Sequence, residues 1–428
     1  METVQMTPSM HTFVDLFSGC GGLSLGLLNA GWSGLFAIEK SADAFKTLRH
    51  NLVDPSPHNT GRPKFDWPDW LQAEPYEVAK FLRKNRSELE QLRGSVRLVA
   101  GGPPCQGFSM AGLRTGSDPR NNLFQQQLKI VDILQPDIVL MENVQGIDIP
   151  FDTQTNPRGT APKSYAKKIC AMLRRHGYDV QQHVIRAVDF GVPQFRPRYF
   201  TLGLRNGLLP EGSSFNLKQA LFDMREEFLL SRRLSATKAT TVAQAISDLL
   251  SDGKEIADCT EEESPAGFKQ IIYQGPRTNY QKLMRVGMNG TPPNSLRLVN
   301  HRPETIKRFK KMQKTCRKGV QLSDEERGRF GIGKSVICVF SGDQPAHTLT
   351  TLPDDYIHYM EPRIHTVREH ARMQSFPDWF EFRGKYTTGG PQRSTDCPRY
   401  TQVGNAVPPL LAEAIGLVLR KLLLEVQQ

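Results

Sequence analysis

A cysteine held by two prolines is the residue whose chemistry is easiest to name. Cys105 closes the sequence Gly-Gly-Pro-Pro-Cys, directly after the apolar run of residues 97–100. Ligands of α/β folds bind at the carboxyl ends of strands, and a helix that begins just beyond would lower the pKa of the thiol. A lone cysteine is most often a small buried apolar side chain. This context instead favours a nucleophile, followed by a Gly-, Ser-, Arg- and Asn-rich segment (residues 107–122) that we expect to close over a substrate.

A glutamate and two arginines form a second candidate group. Glu142 follows the apolar run of residues 138–141. A buried carboxyl group usually has either a charged or hydrogen-bonding partner or a catalytic role, and burial would raise its pKa enough to let it donate a proton. Arg196 and Arg198 are two residues apart, so in an extended strand they share one face. Two adjacent guanidinium groups suit a phosphate or the polarised carbonyl of a base, although exposed arginines without such a role are common.

A glycine-rich turn, Asp-Leu-Phe-Ser-Gly-Cys-Gly-Gly-Leu at residues 15–23, lies between a predicted strand and a predicted helix. Glycines in this position allow a ligand to approach the backbone closely. Glu39 ends the next predicted strand, where a carboxylate can accept hydrogen bonds from ribose hydroxyls. Because the glycines do not form Gly-x-Gly-x-x-Gly, the turn favours a nucleoside site over a dinucleotide site.

The elements that must position these residues alternate along the first two hundred positions. Strands are predicted at residues 12–17, 34–38, 97–100 and 138–141, and helices at 23–30, 77–93 and 123–134. This alternation is typical of a parallel sheet covered by helices on both faces. The pattern becomes irregular after residue 206. We therefore predict a catalytic domain at 1–205, a smaller irregular domain at 206–390, and a C-terminal segment at 391–428 that returns to the first.

Composition narrows the class of protein. The chain has 428 residues and a formal net charge of +11. Residues 302–334 contain eleven Lys or Arg against four acids, which suits a polyanionic partner but equally a solvated helix face. No apolar run is long enough to span a bilayer, and no secretory signal is visible. The seven cysteines form no Cys-x-x-Cys pair, so we expect neither a disulfide framework nor a metal site, and we expect a cytoplasmic protein.

Six segments, taken in order, resemble the motifs of the DNA (cytosine-5)-methyltransferase family of bacterial restriction-modification systems. They are DLFSGCGG at 15–22, GGPPCQGFS at 101–109, MENV at 141–144, QFRPR at 194–198, REHARMQSFPD at 368–378 and QVGNAVPP at 402–409. Each is a weak pattern alone, but six ordered matches across nearly the whole chain are specific. The resemblance implies a Rossmann-like S-adenosylmethionine-dependent methyltransferase sheet plus a smaller target-recognition domain.

The resemblance also implies a role for each matching residue. Cys105 would be the nucleophile and Glu142 the acid, with Arg198 holding the base carbonyl or orienting Glu142 and Arg196 supporting a phosphate or the loop. Residues expected to hold S-adenosylmethionine are Phe17, Gly19, Gly21, Gly22, Leu23, Glu39, Pro104, Leu123, Asn405, Ala406 and Val407. The family's acid that touches the adenine amino group matches Asp69, with Asp66 as the competing position.

The implied reaction is methyl transfer to C5 of a cytosine that is flipped out of a specific double-stranded DNA sequence. The expected DNA contacts are Ser109, Arg120, Gln194, Thr348, Lys310 and Lys311. A cognate restriction endonuclease acting separately is an expected partner, whereas a metal ion and a membrane are not expected.

Three other interpretations compete with this one. A tRNA-methylating enzyme would keep the same fold. A catalytically silent binding subunit should have lost Cys105 or Glu142, and both are present. A nicotinamide-dependent oxidoreductase is suggested only by the glycine turn.

Overall fold

The computed structural model describes residues 11–55, 61–104, 123–150, 164–388, 392 and 395–426. The strands are β1 (Thr12–Leu16), β2 (Ser33–Ile38), β3 (Leu98–Gly101), β4 (Ile138–Asn143), β5 (Tyr178–Arg186), β6 (Pro197–Arg205), β7 (Ile256–Asp258), β8 (Lys269–Ile271), β9 (Cys338–Val339) and β10 (Tyr356–Ile357). The helices α1 to α7 are Gly22–Asn29, Ala42–Leu52, Val78–Lys84, Arg86–Gln91, Leu123–Leu134, Tyr165–Arg175 and Leu217–Ser231. The helices α8 to α14 are Val242–Ile246, Asn279–Met284, Pro303–Thr315, Asp324–Arg329, Val367–Met373, Arg399–Asn405 and Pro409–Val426.

Six strands form the central sheet in the order β2-β1-β3-β4-β6-β5. The pairs β1/β2, β1/β3 and β3/β4 are parallel, which confirms the predicted α/β core. β6 is antiparallel to both β4 and β5, so the sheet is parallel over β2, β1, β3 and β4 and mixed at this edge. The physical reason is that β5 and β6 are joined by a short connection, which reverses the chain without a crossover helix.

Helices cover both faces of the sheet, as predicted. Phe13 and Val14 are neighbours on β1 and are fully buried in opposite hydrophobic clusters. The cluster around Phe13 includes residues of α1, α2, α7 and α14, and the cluster around Val14 includes residues of α3, α4, α5 and α6. Alternate side chains of each strand therefore enter separate cores, which explains why the strands are apolar throughout.

The predicted helix at 77–93 is in fact two helices, α3 and α4. Asn85 separates them, with φ −121° and ψ 32°, and its side-chain amide donates to the carbonyl of Phe81. Asparagine readily forms such local bonds to its own backbone, so it interrupts a helix that apolar periodicity alone predicts.

The region after β6 contains short helices and small sheets. β7 and β8 form an antiparallel hairpin, and β9 and β10 form a two-residue parallel pair. A separate small hydrophobic core includes Phe309 and Met312 of the basic helix α10. Within the described part of the chain, no helix is both long enough and apolar enough to cross a membrane.

Candidate active site

The candidate residues of four strands meet at one edge of the sheet. Because β1, β2, β3 and β4 are mutually parallel in register, their carboxyl ends at Leu16, Ile38, Gly101 and Asn143 lie side by side. The glycine turn, Glu39, the Pro-Pro turn and Glu142 each lie at or next to one of these ends. Sequence order spreads them over more than a hundred residues, and the topology brings them to one edge.

The glycine turn requires its glycines for specific reasons. Gly19 and Gly21 have φ of 56° and 95°, in the left-handed region, and Phe17 shares that conformation with φ 60°. Gly21 precedes the first residue of α1, and a Cβ there would lie 2.9 Å from Leu52. A Cβ on Gly19 would meet no atom within 4 Å, so the turn is open on that side.

Glu39 is bonded to this turn. Its carboxylate accepts the backbone N–H of Gly19 at 3.0 Å and that of Ser41 at 2.7 Å. Burial raises the pKa of Glu39, and these amide donors oppose the shift. Each carboxylate oxygen keeps a second lone pair, so the group can still accept a hydroxyl donor from a ligand.

The C-terminal segment contacts the glycine turn. A Cβ on Gly22 would lie only 2.3 Å from the carbonyl oxygen of Val407 and 3.2 Å from the Cβ of Ala406. Thr47 on α2 donates to the side-chain oxygen of Gln402 at 2.6 Å, which ties α13 to the same domain. The predicted cofactor residues at 17–23 and at 406–407 are therefore brought together, over a separation of almost four hundred residues.

Glu142 and Arg198 form an ion pair across the β4–β6 junction. Arg198 Nε lies 2.8 Å from Glu142 Oε1, and both side chains are about nine-tenths buried. Burial raises the pKa of Glu142, while the charges of Arg198 and Arg196 oppose the rise. The second carboxylate oxygen faces Gly102, where a Cβ would lie 3.1 Å away. Asn143 then donates to the carbonyl of Pro103 at 3.3 Å, which couples this strand end to the Pro-Pro turn.

Arg196 and Gln194 do not lie where the sequence predicted them. Arg196 is fully buried and donates to the backbone carbonyls of Leu349, Gly404 and Ala406 at 2.7–3.1 Å. Gln194 is also fully buried, and its side chain bonds the backbone of residues 349 and 373. A phosphate contact by Arg196 and a DNA contact by Gln194 are therefore wrong. Arg196 instead joins the start of β6 to the C-terminal segment, and Gln194 joins it to residues 349 and 373, because buried carbonyl and amide groups occupy their polar atoms.

The other predicted residues are distributed as follows. Pro104 and Leu123 are half-buried, and Asn405 is exposed at the end of α13. Thr348 is half-buried, and its carbonyl accepts a bond from Tyr356. Lys310 and Lys311 are exposed on α10. Cys105, Ser109 and Arg120 lie outside the described residues.

The adenine acid was predicted at Asp69, with Asp66 as competitor. Asp69 is exposed, and its neighbour Trp70 packs its ring 5.8 Å from that of Phe36. The backbone that lies beside Glu39 belongs to Tyr76, whose N–H donates to the Glu39 carbonyl at 2.8 Å. An open cleft next to it is lined by Lys40, Pro75, Tyr76, Glu77 and Lys80. Sequence reasoning missed this cleft because residues 67–75 loop out between Asp66, whose N–H donates to Gly34 of β2, and Tyr76, which pairs with Glu39 just after β2.

Asp15 is a second residue that sequence reasoning passed over. It is fully buried, Ser24 donates to its Oδ2 at 2.5 Å, and its Oδ1 has no hydrogen-bond partner among the described residues. Burial, with contributions from Glu39 and Glu142, raises the pKa of Asp15 to about 7. A signal was available, since an acid inside a predicted buried strand is unusual.

Comparisons with known proteins point to one family. The family model for C-5 cytosine-specific DNA methylase matches residues 11–421. The chain is 32% identical to the type II methyltransferase M.DdeI of Desulfomicrobium norvegicum, over 94% of this chain and 87% of that protein. It is 31% identical to the type II methyltransferase M1.HphI of Haemophilus parahaemolyticus, over 95% of this chain and 85% of that protein. The structure also resembles a crystal structure described as a DNA modification methyltransferase encoded within a prophage of E. coli. The two superpose with a TM-score of 0.61 at 23% identity, over 96% of this chain and 99% of that one, so they share the fold.

Proposed function

Because the chain belongs to the C-5 cytosine-specific DNA methylases, we propose that it methylates C5 of a flipped-out cytosine in a specific duplex sequence through a covalent Cys105–C6 adduct. The observation that supports this most is the Glu142–Arg198 ion pair, which lies beside the Pro-Pro turn that leads to Cys105. The reaction is a DNA (cytosine-5)-methyl transfer, and we place it at the DNA in the cytoplasm of a bacterial cell.

The residues at the sheet edge fit S-adenosylmethionine. Gly19 borders open space, Glu39 has lone pairs for ribose hydroxyls, and the buried Oδ1 of Asp15 has no partner within the described part of the chain. When bound, the cofactor supplies an electrophilic methyl group on a sulfonium. We propose that it is held by the residues predicted from the sequence at 17–23, by Glu39, Pro104 and Leu123, and by residues 405–407.

The adenine contact is a further proposal. Asp69 matches the family pattern, Asp66 is the competing position, and Glu77 is added because it borders the cleft next to Glu39. Separate Asp69→Asn, Asp66→Asn and Glu77→Gln variants would decide among them by their affinity for S-adenosylmethionine.

The chemistry assigned to this chain's residues begins at Cys105. Its thiolate adds to C6, forming a carbon–sulfur bond, and the displaced electron pair moves into the ring toward C5 and N3. Glu142 holds a proton at N3, which neutralises the developing negative charge, and its raised pKa favours this protonated state. Arg198 keeps the carboxyl group in position at 2.8 Å and offers its charge to the base carbonyl O2. After C5 has been methylated, loss of the C5 proton and breakage of the carbon–sulfur bond restore the aromatic ring.

DNA binding is assigned to the irregular region and to the segment after Cys105. The base must leave the helical stack before Cys105 can reach C6, at a cost of a few kcal/mol. Lys310 and Lys311 on the exposed face of α10 would offset part of this cost through phosphate contacts, and Ser109, Arg120 and Thr348 would lie nearer the target base. The recognition domain at 206–390 and the returning segment at 391–428 are proposed with the boundaries predicted from the sequence.

The test is methyl incorporation from labelled S-adenosylmethionine into duplex DNA, with tRNA as a parallel substrate. We expect 5-methylcytosine in DNA only, absent with Cys105→Ser although that variant still binds the cofactor. Glu142→Gln should slow the chemistry more than it weakens DNA binding. Labelling of tRNA alone, or wild-type rates in Cys105→Ser, would contradict the proposal.

The presence of a cognate restriction endonuclease is a separate proposal. The related proteins are named as type II methyltransferases, so we propose a cognate endonuclease that cuts the same sequence when it is unmethylated. Mapping 5-methylcytosine across host DNA by bisulfite sequencing would supply the sequence, and cleavage of unmethylated copies by a host extract would test for the endonuclease.

A further inference from the structure

Arg399, the first residue of α13, is held by two acids from the loop between β7 and β8. Its guanidinium donates to Glu261 Oε2 at 2.5 Å and to Glu263 Oε2 at 2.7 Å. The Arg399 side chain is only 2% exposed, so the pair is largely removed from water. Neither acid belongs to any of the sequence motifs, and both come from the region between the central sheet and the C-terminal helices.

The guanidinium of Arg399 and the carboxylate of Glu261 also make other hydrogen bonds. Arg399 additionally bonds the carbonyl of Gly384 at 2.9 Å and the hydroxyl of Ser295 at 2.9 Å. Glu261 accepts the backbone N–H of Ser295 and the hydroxyl of Tyr386, whose ring lies 4.2 Å from the Arg399 guanidinium carbon. A charge-assisted bond fixed from several sides holds its partners in one geometry.

Glu263 extends the connection to the glycine-turn domain. Its second oxygen accepts from Lys46 on α2 at 2.5 Å, so one acid bridges α2 and α13. Burial acts to raise the pKa of Glu263, but hydrogen bonds from Lys46, the backbone of Gly384 and Arg399 lower it to about 2. The acid is therefore ionised at neutral pH, as the bridge requires.

Gln402, one turn further along α13, contacts the glycine-turn domain. Gln402 accepts from Thr47 through its side chain and from the thiol of Cys20, in the glycine turn, through its carbonyl. The helix then ends at Asn405, and the next residues pack on Gly22. The position of residues 405–407 therefore depends on the first turn of α13 as well as on Arg196, which bonds the carbonyls of Gly404 and Ala406.

We propose that Glu261 and Glu263 are positioning residues for the cofactor: by clamping Arg399 they hold α13, and with it Asn405–Val407, against the glycine turn. This inference rests on the proposed cofactor role of residues 405–407. Because the acids lie in the proposed recognition region, that region contributes to cofactor affinity without touching the cofactor. Both acids act through Arg399 and neither is catalytic.

The test compares Glu263→Gln with Glu262→Gln, its exposed neighbour on the same loop, as a control of equal charge change. Glu263→Gln leaves Glu261 to neutralise Arg399, so the variant should fold. We expect its dissociation constant for S-adenosylmethionine, measured by calorimetry without DNA, to rise about fivefold or more. The kcat at saturating cofactor and the DNA affinity should stay within about twofold of wild type.

The outcomes separate the inference from the function on which it rests. A dissociation constant for Glu263→Gln equal to that of Glu262→Gln would overturn the clamp. Failure of the wild-type protein to bind S-adenosylmethionine would instead refute the proposed function. Two more variants give a second measurement. Lys46→Gln should change the affinity for S-adenosylmethionine little, because the Lys46 side chain is 59% exposed. Glu261→Gln should weaken cofactor binding at least as much as Glu263→Gln. Equal effects of Lys46→Gln and Glu261→Gln would also contradict the clamp.

Discussion

Replacing Gly102 with alanine should impair the chemistry by moving a single carboxylate. Gly102 lies between the end of β3 and the Pro-Pro turn, outside the left-handed region, so alanine is compatible with its backbone. The new Cβ would lie 3.1 Å from Glu142 Oε2 and 3.5 Å from the Glu142 carbonyl oxygen. The first distance is tighter than most real contacts, so the carboxyl group must give way by a few tenths of an ångström.

The magnitude follows from the geometry of the ion pair. Glu142 is fixed on its other side by Arg198 at 2.8 Å, so a shift of the carboxyl group also strains that bond. A misplacement of about 1 Å costs about a hundredfold in rate, and a few tenths of an ångström should cost about tenfold, or about 1.4 kcal/mol of transition-state stabilisation. The pocket for S-adenosylmethionine at Gly19 and Glu39 is not touched by this change.

Single-turnover methylation of duplex DNA measures the effect directly. Gly102→Ala should lower the rate of methyl transfer about tenfold, with unchanged affinity for S-adenosylmethionine and an unchanged melting temperature. Gly328→Ala is the matched control, because a Cβ on that exposed glycine of α11 meets nothing within 4 Å. A wild-type rate in Gly102→Ala would refute the argument that Glu142 acts from its observed position.

Three further predictions concern binding, packing and pH. Changing Lys310 and Lys311 to Glu should weaken DNA binding and reduce the slope of log affinity against log salt by about 2, measured by fluorescence anisotropy; an unchanged slope would make α10 a solvated face. Arg196→Met should lower the free energy of unfolding by about 2–5 kcal/mol in urea, because three buried carbonyls lose their donor, and a loss confined to DNA affinity would contradict this role. Burial lowers the pKa of His370 from 6.5 to about 4, so its contribution to stability is complete above pH 6.5 and is lost as pH falls toward 4. Between pH 7 and pH 5, His370→Leu should therefore lose about 2 kcal/mol less stability than wild type, and equal losses would exclude His370 as the titrating group.

The sequence predicts the parts of the site that depend on local chemistry. Gly21 is required by its left-handed conformation, and Gly22 by its close contact with Val407. Both requirements appear in the sequence as glycines. Glu142 is visible in the same way, as an acid at the end of an apolar strand. The parallel core follows from alternating strands and helices, so it too can be predicted.

The remainder depends on contacts between distant segments. Arg196 and Arg198 are equivalent in sequence, yet one bonds backbone carbonyls of the C-terminal segment and the other pairs with Glu142. Only the antiparallel placement of β6 beside β4 decides which arginine faces the site. The clamp on Arg399 by Glu261 has no local signal either, because 138 residues separate the partners.

Trapping of the covalent adduct tests the central claim most directly. Once the methylated sequence is known, a duplex carrying 5-fluorocytosine at the target position can be incubated with the protein and S-adenosylmethionine. Fluorine at C5 cannot leave as a proton does, so the carbon–sulfur bond to C6 should persist through denaturing electrophoresis. We predict a stable protein–DNA species whose modified peptide contains Cys105, absent with Cys105→Ser. A methylating protein that forms no such species, or one linked through another residue, would contradict the account.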